Sequence, residues 1–438
     1  MNDHDRDKIF YGWWIVAAVF VIVFFGHGIA FYSFSVFIKP LEAHFGWSRT
    51  TISIGVVLWA LLYGLSGPVV GVCMDKLGVR VVIAFSALVV GSCYVLLGSL
   101  NGLVMLYILM FFSGIGSAGV TTVPSQTIIS NWFEKYRGRA MGIMMAGVGL
   151  GGLTMPPVSN AIITEFGWRT SFRVGGLLLL FMIVPLAALV VRARPSDMGL
   201  QPDGIRNDTG EEALSVQEKR ESVGLSVKRS LGTSSFWMLF IAYMLQIFGV
   251  SGLTVHFVAC VDDAGVSSQA ASIFWGLAIG FSVVGRVVFG LLADRWNPRN
   301  LMALTNMFHG VAAAILLVFF LRMGIHSAAS LLPFPLIYGL SMGGTSVLLP
   351  VLASRCFGLR NFSKLLGLLM SGFALGVVGG PLTAGRIFDT TGNYRLAFLI
   401  FAIVFVASGL AVLFVQPDRY MAEFSISTPE RKEVCVSD

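Results

Sequence analysis

Runs of about 20 apolar residues recur along the chain, and this recurrence constrains the fold more than any other feature. A helix needs about 20 apolar residues to cross a hydrocarbon core about 30 Å thick. A chain of 438 residues, 56% of them hydrophobic and 12% charged, cannot hide that much apolar surface from water. We therefore predict an all-α polytopic membrane protein. A β-barrel would instead show segments of about 10 residues with alternating hydrophobicity.

Twelve membrane spans are predicted, six on each side of one long polar stretch. The polar stretch, 193–235, is interpreted as a cytoplasmic linker between an N-terminal six-helix bundle (1–192) and a C-terminal one (236–415), with a cytoplasmic tail at 416–438. The predicted spans are 13–37, 49–72, 80–99, 103–130, 139–163, 171–192, 236–260, 269–292, 300–322, 329–353, 364–387 and 394–415.

The net charge of +7 is explained by membrane topology and not by nucleic acid binding. With both termini and the linker in the cytoplasm, 22 Lys and Arg residues fall on the inner side and seven on the outer side. Inner loops of membrane proteins carry such an excess of Lys and Arg. We predict a multi-pass protein of the plasma (inner) membrane with both termini cytoplasmic.

One basic residue, Arg286, lies inside a span and interrupts the apolar run 274–296. A charge there costs about 2.5 kcal/mol or more, and arginine does not lose its proton. Asp294, eight residues later on the same helix, is about 12 Å away and too far for an ion pair. The partner must come from another helix, from water or from a substrate. The alternative is that the long side chain snorkels to the membrane interface.

The two halves carry the same motif at the inner end of their second spans. It reads GVCMDKLGVR from residue 71 and GLLADR from residue 290, with Asp294 lying 219 residues after Asp75. Parallel repeats indicate two related bundles with a site between them near the bilayer midplane. An aspartate there can pair with loop cations and with the positive end of a helix. We predict that Asp75, Arg80, Asp294 and Arg295 form a gating latch; simple anchoring at the interface is the alternative.

The motif from residue 71 resembles the loop motif of the major facilitator superfamily, and the resemblance extends over nearly the whole chain. Within that superfamily the chain resembles the monocarboxylate transporter family and its bacterial relatives, which include the oxalate/formate antiporter group. YGWW at 11–14, NWFEKYRGRAMG at 131–142 and Arg286 carry this second resemblance. It implies the major facilitator fold, a bacterial member, and binding of the substrate carboxylate by Arg286. A guanidinium matches a carboxylate bidentately, which agrees with that role.

Two departures from the family concern proton coupling. Its animal members have an aspartate one turn before this arginine and a lysine in the outer half of span one, where this chain has Ser282 and Tyr32. Three histidines lie in or near spans, and histidine titrates near physiological pH. His256 is the first candidate for carrying the proton and His27 the second; a structural polar contact is the alternative for each.

Neutral polar residues are predicted to complete the pocket around Arg286. Tyr338 on span ten, Thr121 on span four and Gln246 on span seven join Ser282 and Tyr32 as candidates. Hydroxyls in membrane helices often bond only the carbonyl one turn earlier, so a structural role stays open for them. One buried cation matches one carboxylate, because a second negative charge would remain unpaired.

The predicted function is secondary active transport of a small monocarboxylate such as lactate or pyruvate by alternating access, with proton symport. Moving an anion together with a proton avoids work against the membrane potential. The alternatives are a carboxylate exchanger of the oxalate/formate type and a non-transporting carboxylate sensor. The sequence has no enzyme motif and no metal-ligand spacing of Cys or His, so we expect no enzyme activity, no cofactor and no metal. The expected partners are the monocarboxylate, the proton and the lipid bilayer.

Overall fold

A computed structural model describes residues 10–204, 224–263, 268–321 and 331–417, together with Arg419. Eleven helices in these ranges are long and apolar enough to cross a membrane, and there are twelve when one bent pair counts as a single span. The all-α polytopic prediction is therefore confirmed. The helices are α1 (Tyr11–Phe45), α2 (Arg49–Leu65 and Gly67–Leu77), α3 (Val79–Leu97), α4 (Leu103–Trp132), α5 (Arg137–Phe166), α6 (Trp168–Leu189), α7 (Ser234–Asp263), α8 (Ser268–Ala293), α9 (Pro298–Leu321), α10 (Pro333–Phe357), α11 (Phe362–Thr391) and α12 (Arg395–Leu413).

Helices α1–α6 form one bundle and α7–α12 the other. The chain enters and leaves each bundle on the same side of the molecule. There the Tyr11 hydroxyl donates to the Val190 carbonyl at 2.9 Å, and the Gln416 amide donates to the Ser235 hydroxyl at 3.1 Å. We call this face the linker side and the opposite face the far side. Residues 205–223 and most of the predicted tail lie outside the described residues, so the exact domain bounds stay predictions.

Helix α2 is bent by 49° between its two segments, where one straight span was predicted. Pro68, at the start of the second segment, has no N–H to donate to the preceding turn, and its ring crowds that turn. The second segment then runs along α11 of the other bundle. A methyl group on Gly71 would come within 2.6 Å of the Ser363 carbonyl oxygen, so the two backbones touch.

The equivalent pair, α5 and α8, makes the second close contact between the bundles. A methyl group on Gly138 would clash with the Gly290 carbonyl, and one on Gly142 would clash with the Arg286 carbonyl. Small residues let membrane helices approach to backbone contact. The α2–α11 and α5–α8 contacts together form what we call the glycine seam. It runs from midspan to the linker side.

Candidate substrate site and gate

Arg286 lies on α8 where the two bundles meet, and only 3% of it is exposed. Its guanidinium is aimed at α5: a methyl group on Gly149 would clash with its Nη1 atom. Gly149 is twelve residues into α5, which places the guanidinium about 18 Å from the linker-side end of that helix. The side chain therefore points to the middle of the molecule and not to the membrane interface.

The hydrogen bonding of Arg286 is incomplete. Nη1 donates to the Ser282 hydroxyl one turn earlier on α8, at 2.8 Å. Nε is buried and has no hydrogen-bond partner among the described residues. Arg286 belongs to neither of the two ion pairs that join the bundles among the described residues, Arg139 with Asp294 and Lys364 with Asp75. A buried cation with a free donor is suited to bind an anion.

Tyr32 faces Arg286 from the other bundle. It ends a π-helical segment, Gly28–Tyr32, which interrupts α1 at midspan. π-Helical turns inside α-helices change the direction of the side chains that follow and are frequent at functional sites. The Tyr32 ring lies on α5, where a methyl group on Gly152 would come within 2.9 Å of it. Its phenol lies close enough to the Arg286 guanidinium to accept a hydrogen bond from it. Glycines of α5 thus make room for both side chains.

His27 belongs to a polar cluster beside this pair. Its Nε2 lies 3.5 Å from the Thr122 hydroxyl, and its Nδ1 is buried without a partner among the described residues. Thr122 is hydrogen-bonded to the Tyr63 hydroxyl, which also accepts from the Thr121 hydroxyl at 3.4 Å. His27 lies within electrostatic range of Arg286. Sequence reasoning missed Tyr63, because a phenol in a predicted span gives no local sign of its tertiary partners.

His256 lies away from these residues, inside the second bundle. Its two ring nitrogens are 3.2 Å from the Tyr394 hydroxyl and 3.1 Å from the Pro381 carbonyl oxygen. The described contacts therefore fit the structural polar role that the sequence left open for His256, whereas His27 lies in the polar cluster near Arg286. Both remain predictions as proton carriers.

Two other predicted pocket residues are buried in the second bundle. The Tyr338 hydroxyl donates to the Val250 carbonyl at 3.4 Å, and its ring packs edge-on against His309. Tyr338 is also within electrostatic range of Tyr32. Gln246 is buried on α7, and the described contacts do not place it against Arg286.

The predicted latch aspartates both reach across the linker-side end of the seam. Asp294 accepts hydrogen bonds from the Gly138 amide at 2.6 Å and the Arg139 amide at 3.1 Å, at the start of α5, and its Oδ2 lies 3.4 Å from Arg139 Nε. Asp75 pairs with Lys364 at 2.8 Å and accepts from the Ser363 hydroxyl at 2.9 Å, at the start of α11. Each bundle therefore holds the other by an aspartate.

The pKa of the Asp294 carboxyl group is raised overall, because burial outweighs the opposing effects. Burial raises the pKa of its carboxyl group, while the two amides and Arg139 lower it. With 6% of its side chain exposed, it is a stable carboxylate only while those donors are in place.

The other two predicted gate residues do not join the latches in the described contacts. Arg80 donates from Nε to the Val191 carbonyl within its own bundle, and Arg295 is exposed on the linker side. A third bond between the bundles was not predicted: Arg137 Nη1 donates to the Ser354 hydroxyl at 2.8 Å. Among the described residues, no group of three or more His, Cys, Asp and Glu side chains could hold a metal ion.

Comparison with known proteins agrees with this architecture. The family model "Major Facilitator Superfamily" matches residues 20–362. Monocarboxylate transporter 12 of Rattus norvegicus is 25% identical over 96% of this chain and 90% of its own length. Monocarboxylate transporter 4 of Gallus gallus is 26% identical over 92% of this chain and 82% of its own length.

A solved structure, that of the proton:xylose symporter XylE bound to 6-bromo-6-deoxy-D-glucose, superposes with a TM-score of 0.70 at 16% identity. The match covers 93% of this chain and 96% of that one, and at this identity it concerns the fold alone. With a family model that covers most of the chain and twelve helices in two bundles, the protein belongs to the major facilitator superfamily, in which it is similar to monocarboxylate transporters.

Proposed function

We propose that the protein is a secondary active transporter of small monocarboxylates of the lactate and pyruvate type, and that Arg286 binds the carboxylate. The observation that carries this proposal is the buried guanidinium at midspan, which has a free Nε donor and is faced by the neutral hydroxyls of Ser282 and Tyr32. A carboxylate would supply the missing charge and accept two parallel hydrogen bonds. The similarity to monocarboxylate transporters over almost the whole chain supports the same class of substrate.

Access alternates through the glycine seam. Here the seam and both aspartate latches are closed on the linker side, so substrate exchange there requires the latches to break and the bundles to rock apart. The excess of Lys and Arg assigns the linker side to the cytoplasm. On this assignment the protein lies in the plasma (inner) membrane with both termini inside, and the cytoplasmic path is the closed one.

We propose proton symport as the coupling, with His27 as the proton carrier, and the charge at the site supports this choice. The empty site holds one positive charge, that of Arg286. A bound carboxylate alone cancels it, whereas a carboxylate together with a protonated His27 restores it. The empty and loaded carriers then reorient with equal charge, and the full cycle moves none. Each uncompensated charge would otherwise cost about 2.3 kcal/mol per 100 mV.

Exchange of one carboxylate for another is the second candidate. Ser282 favours this candidate. Animal members of the monocarboxylate transporter family have an aspartate at this position, whereas Ser282 is a neutral acceptor for Arg286. In an exchanger the loaded site, with its charge cancelled, is the species that reorients in both directions.

The test is uptake of labelled L-lactate into proteoliposomes, with and without an inward proton gradient. We compare the wild type with Arg286→Gln and with Arg386→Gln, a control that removes an exposed arginine of α11 outside the site and the gate. We expect gradient-driven uptake in the wild type and the control and none in Arg286→Gln. Uptake that ignores the gradient but requires internal carboxylate would establish exchange.

Uptake that survives Arg286→Gln would remove this residue from the site. If the wild type takes up neither lactate nor pyruvate nor other short monocarboxylates, the proposed substrate class is wrong.

A further inference from the structure

The chain that follows α6 folds back onto the turn between α4 and α5. The Asp203 carboxylate accepts hydrogen bonds from three successive backbone amides of that turn, those of Glu134 at 3.0 Å, Lys135 at 2.6 Å and Tyr136 at 3.3 Å. To reach them, Asp203 adopts a left-handed conformation with φ of 59°, and no other described non-glycine residue has a positive φ. Such a conformation persists only where surrounding contacts fix it.

This turn leads directly into one of the two latches. Tyr136, whose amide Asp203 binds, is the residue before α5. Two and three positions later, the amides of Gly138 and Arg139 bind Asp294 of the other bundle. Asp203 therefore fixes the backbone immediately before the latch donors, without touching the latch itself in the described hydrogen bonds.

The other end of the linker makes the equivalent contact next to the second latch. The Leu225 amide donates to the Phe357 carbonyl at 2.9 Å, and Asn361 Nδ2 donates to the Leu225 carbonyl at 3.0 Å. Leu225 is fully buried. The turn 358–361 that it holds leads into α11, where Ser363 and Lys364 bind Asp75.

We propose that the two ends of the linker are positioning elements for the gate, Asp203 for the Asp294 latch and Leu225 with Asn361 for the Asp75 latch. Each acts within its own bundle, so neither ties the bundles together. Each orders a turn so that the donors are in place before the aspartate arrives, which lowers the entropy lost when the latch closes. This inference rests on the superfamily fold and does not depend on the substrate.

One effect opposes this role. Asp203 and Asp294 are both negative and repel each other across the start of α5. Two variants separate positioning from repulsion: Asp203→Ala removes both the acceptor oxygens and the charge, whereas Asp203→Asn removes the charge and keeps one acceptor. If repulsion dominated, both variants would close the linker side more firmly. If positioning dominates, alanine opens it and asparagine opens it less.

The experiment measures distances between spin labels by pulsed EPR in reconstituted, full-length protein whose five cysteines have been replaced. The labels stand at Leu189, which ends α6 and is 71% exposed, and at Phe414, just after α12 and 69% exposed. They report the linker-side separation of the bundles and lie away from both latches. The background variant Asp75→Ala removes the Asp75 latch and leaves the Asp294 latch to hold the linker side closed, so that weakening of the Asp294 latch becomes visible.

In that background we expect Asp203→Ala to shift the ratio of open to closed molecules about fivefold toward open, the size of losing one good backbone cap. In the Asp294→Ala background, which has no side-chain acceptor at this position, the same change should have no effect, and Asn361→Ala should show the reverse pattern. Asp197→Ala is the matched control, because this exposed carboxylate lies in the same segment and accepts instead from the Arg194 amide at 3.1 Å. An unchanged ratio for Asp203→Ala, or equal shifts in both backgrounds, would overturn the proposal, since a general loss of stability does not distinguish the two latches.

Discussion

Gly149→Ala tests whether the position of the Arg286 guanidinium sets substrate affinity. The methyl group would meet Arg286 Nη1 directly and would come within 2.6 Å of Val283 Cγ2. Nonbonded heavy atoms are comfortable at about 3.5–4.0 Å, so the side chains must retreat by about 1 Å. A hydrogen bond of ordinary length does not tolerate that displacement. One of the two charge-assisted bonds to the carboxylate would be lost while the charge stays.

The magnitude follows from the value of that bond. A hydrogen bond to a charged group contributes about 1.5–3 kcal/mol. Because every 1.4 kcal/mol is a factor of ten, the apparent KM for carboxylate should rise about tenfold to a hundredfold. We would measure it from the concentration dependence of gradient-driven L-lactate uptake, and the Kd of detergent-solubilised protein by calorimetry.

Two controls of the same chemical change isolate the cause. Gly280→Ala places a methyl group on α8, six residues before Arg286, where nothing lies within 4 Å, and we expect affinity within about twofold of the wild type. Gly142→Ala crowds the Arg286 carbonyl within the seam and not the guanidinium, so it should slow turnover more than it weakens binding. Wild-type KM and Kd for Gly149→Ala, or equal losses for Gly280→Ala, would refute the reasoning.

Three further predictions concern the gate and the proton. Asp294→Asn should favour the linker-side-open state by about 1.5–3 kcal/mol, because the charge-assisted bonds from two amides are lost. The shift is measured as the accessibility of cysteines introduced on the linker side, and unchanged labelling of these cysteines would contradict the prediction. Asp75→Asn should have a smaller effect, about 1 kcal/mol or less in the same assay, because its carboxylate is 35% exposed and its ion pair with Lys364 is screened by solvent. His27→Asn should abolish gradient-driven uptake and keep lactate–lactate counterflow, whereas His256→Asn should keep both; coupled uptake in His27→Asn would show that the proton is carried elsewhere.

The fold and the central arginine could be predicted from sequence because their signals are local. Apolar runs of membrane-spanning length fix the number of helices, and a single charge in such a run identifies Arg286. The repeated GxxxD motif also located both latch aspartates. In each case the information lies within about 20 neighbouring residues.

The partners of these residues could not be predicted, because they come from the opposite bundle. The sequence suggested Arg80 and Arg295, the cations that follow the aspartates along the chain, whereas Asp75 contacts Lys364 and Asp294 contacts Arg139. The proximity of His27 to Arg286 likewise depends on how α1 and α8 both pack against α5.

The sequence does not distinguish Gly149 from the other glycines of membrane helices. Only the tertiary structure shows that the Arg286 guanidinium lies against it. The docking of Asp203 depends on a left-handed turn that an aspartate adopts only in a particular tertiary setting. Sequence patterns therefore predict which residues carry chemistry better than they predict what those residues contact.

The reciprocal arrangement of the two aspartates has a consequence for passive leak. Because Asp75 and Asp294 hold separate helix pairs of one seam, a spontaneous opening must break both ion-pair clusters at once. If the two clusters break independently, the free energies of breaking them add. The probability that both are broken at the same time is then the product of the probabilities of breaking each one. Loss of one aspartate then raises the frequency of spontaneous linker-side opening by a finite factor, and the other cluster remains as a barrier. Because the latch is duplicated, mutation of one aspartate does not by itself open the protein across a membrane that stores energy as an ion gradient.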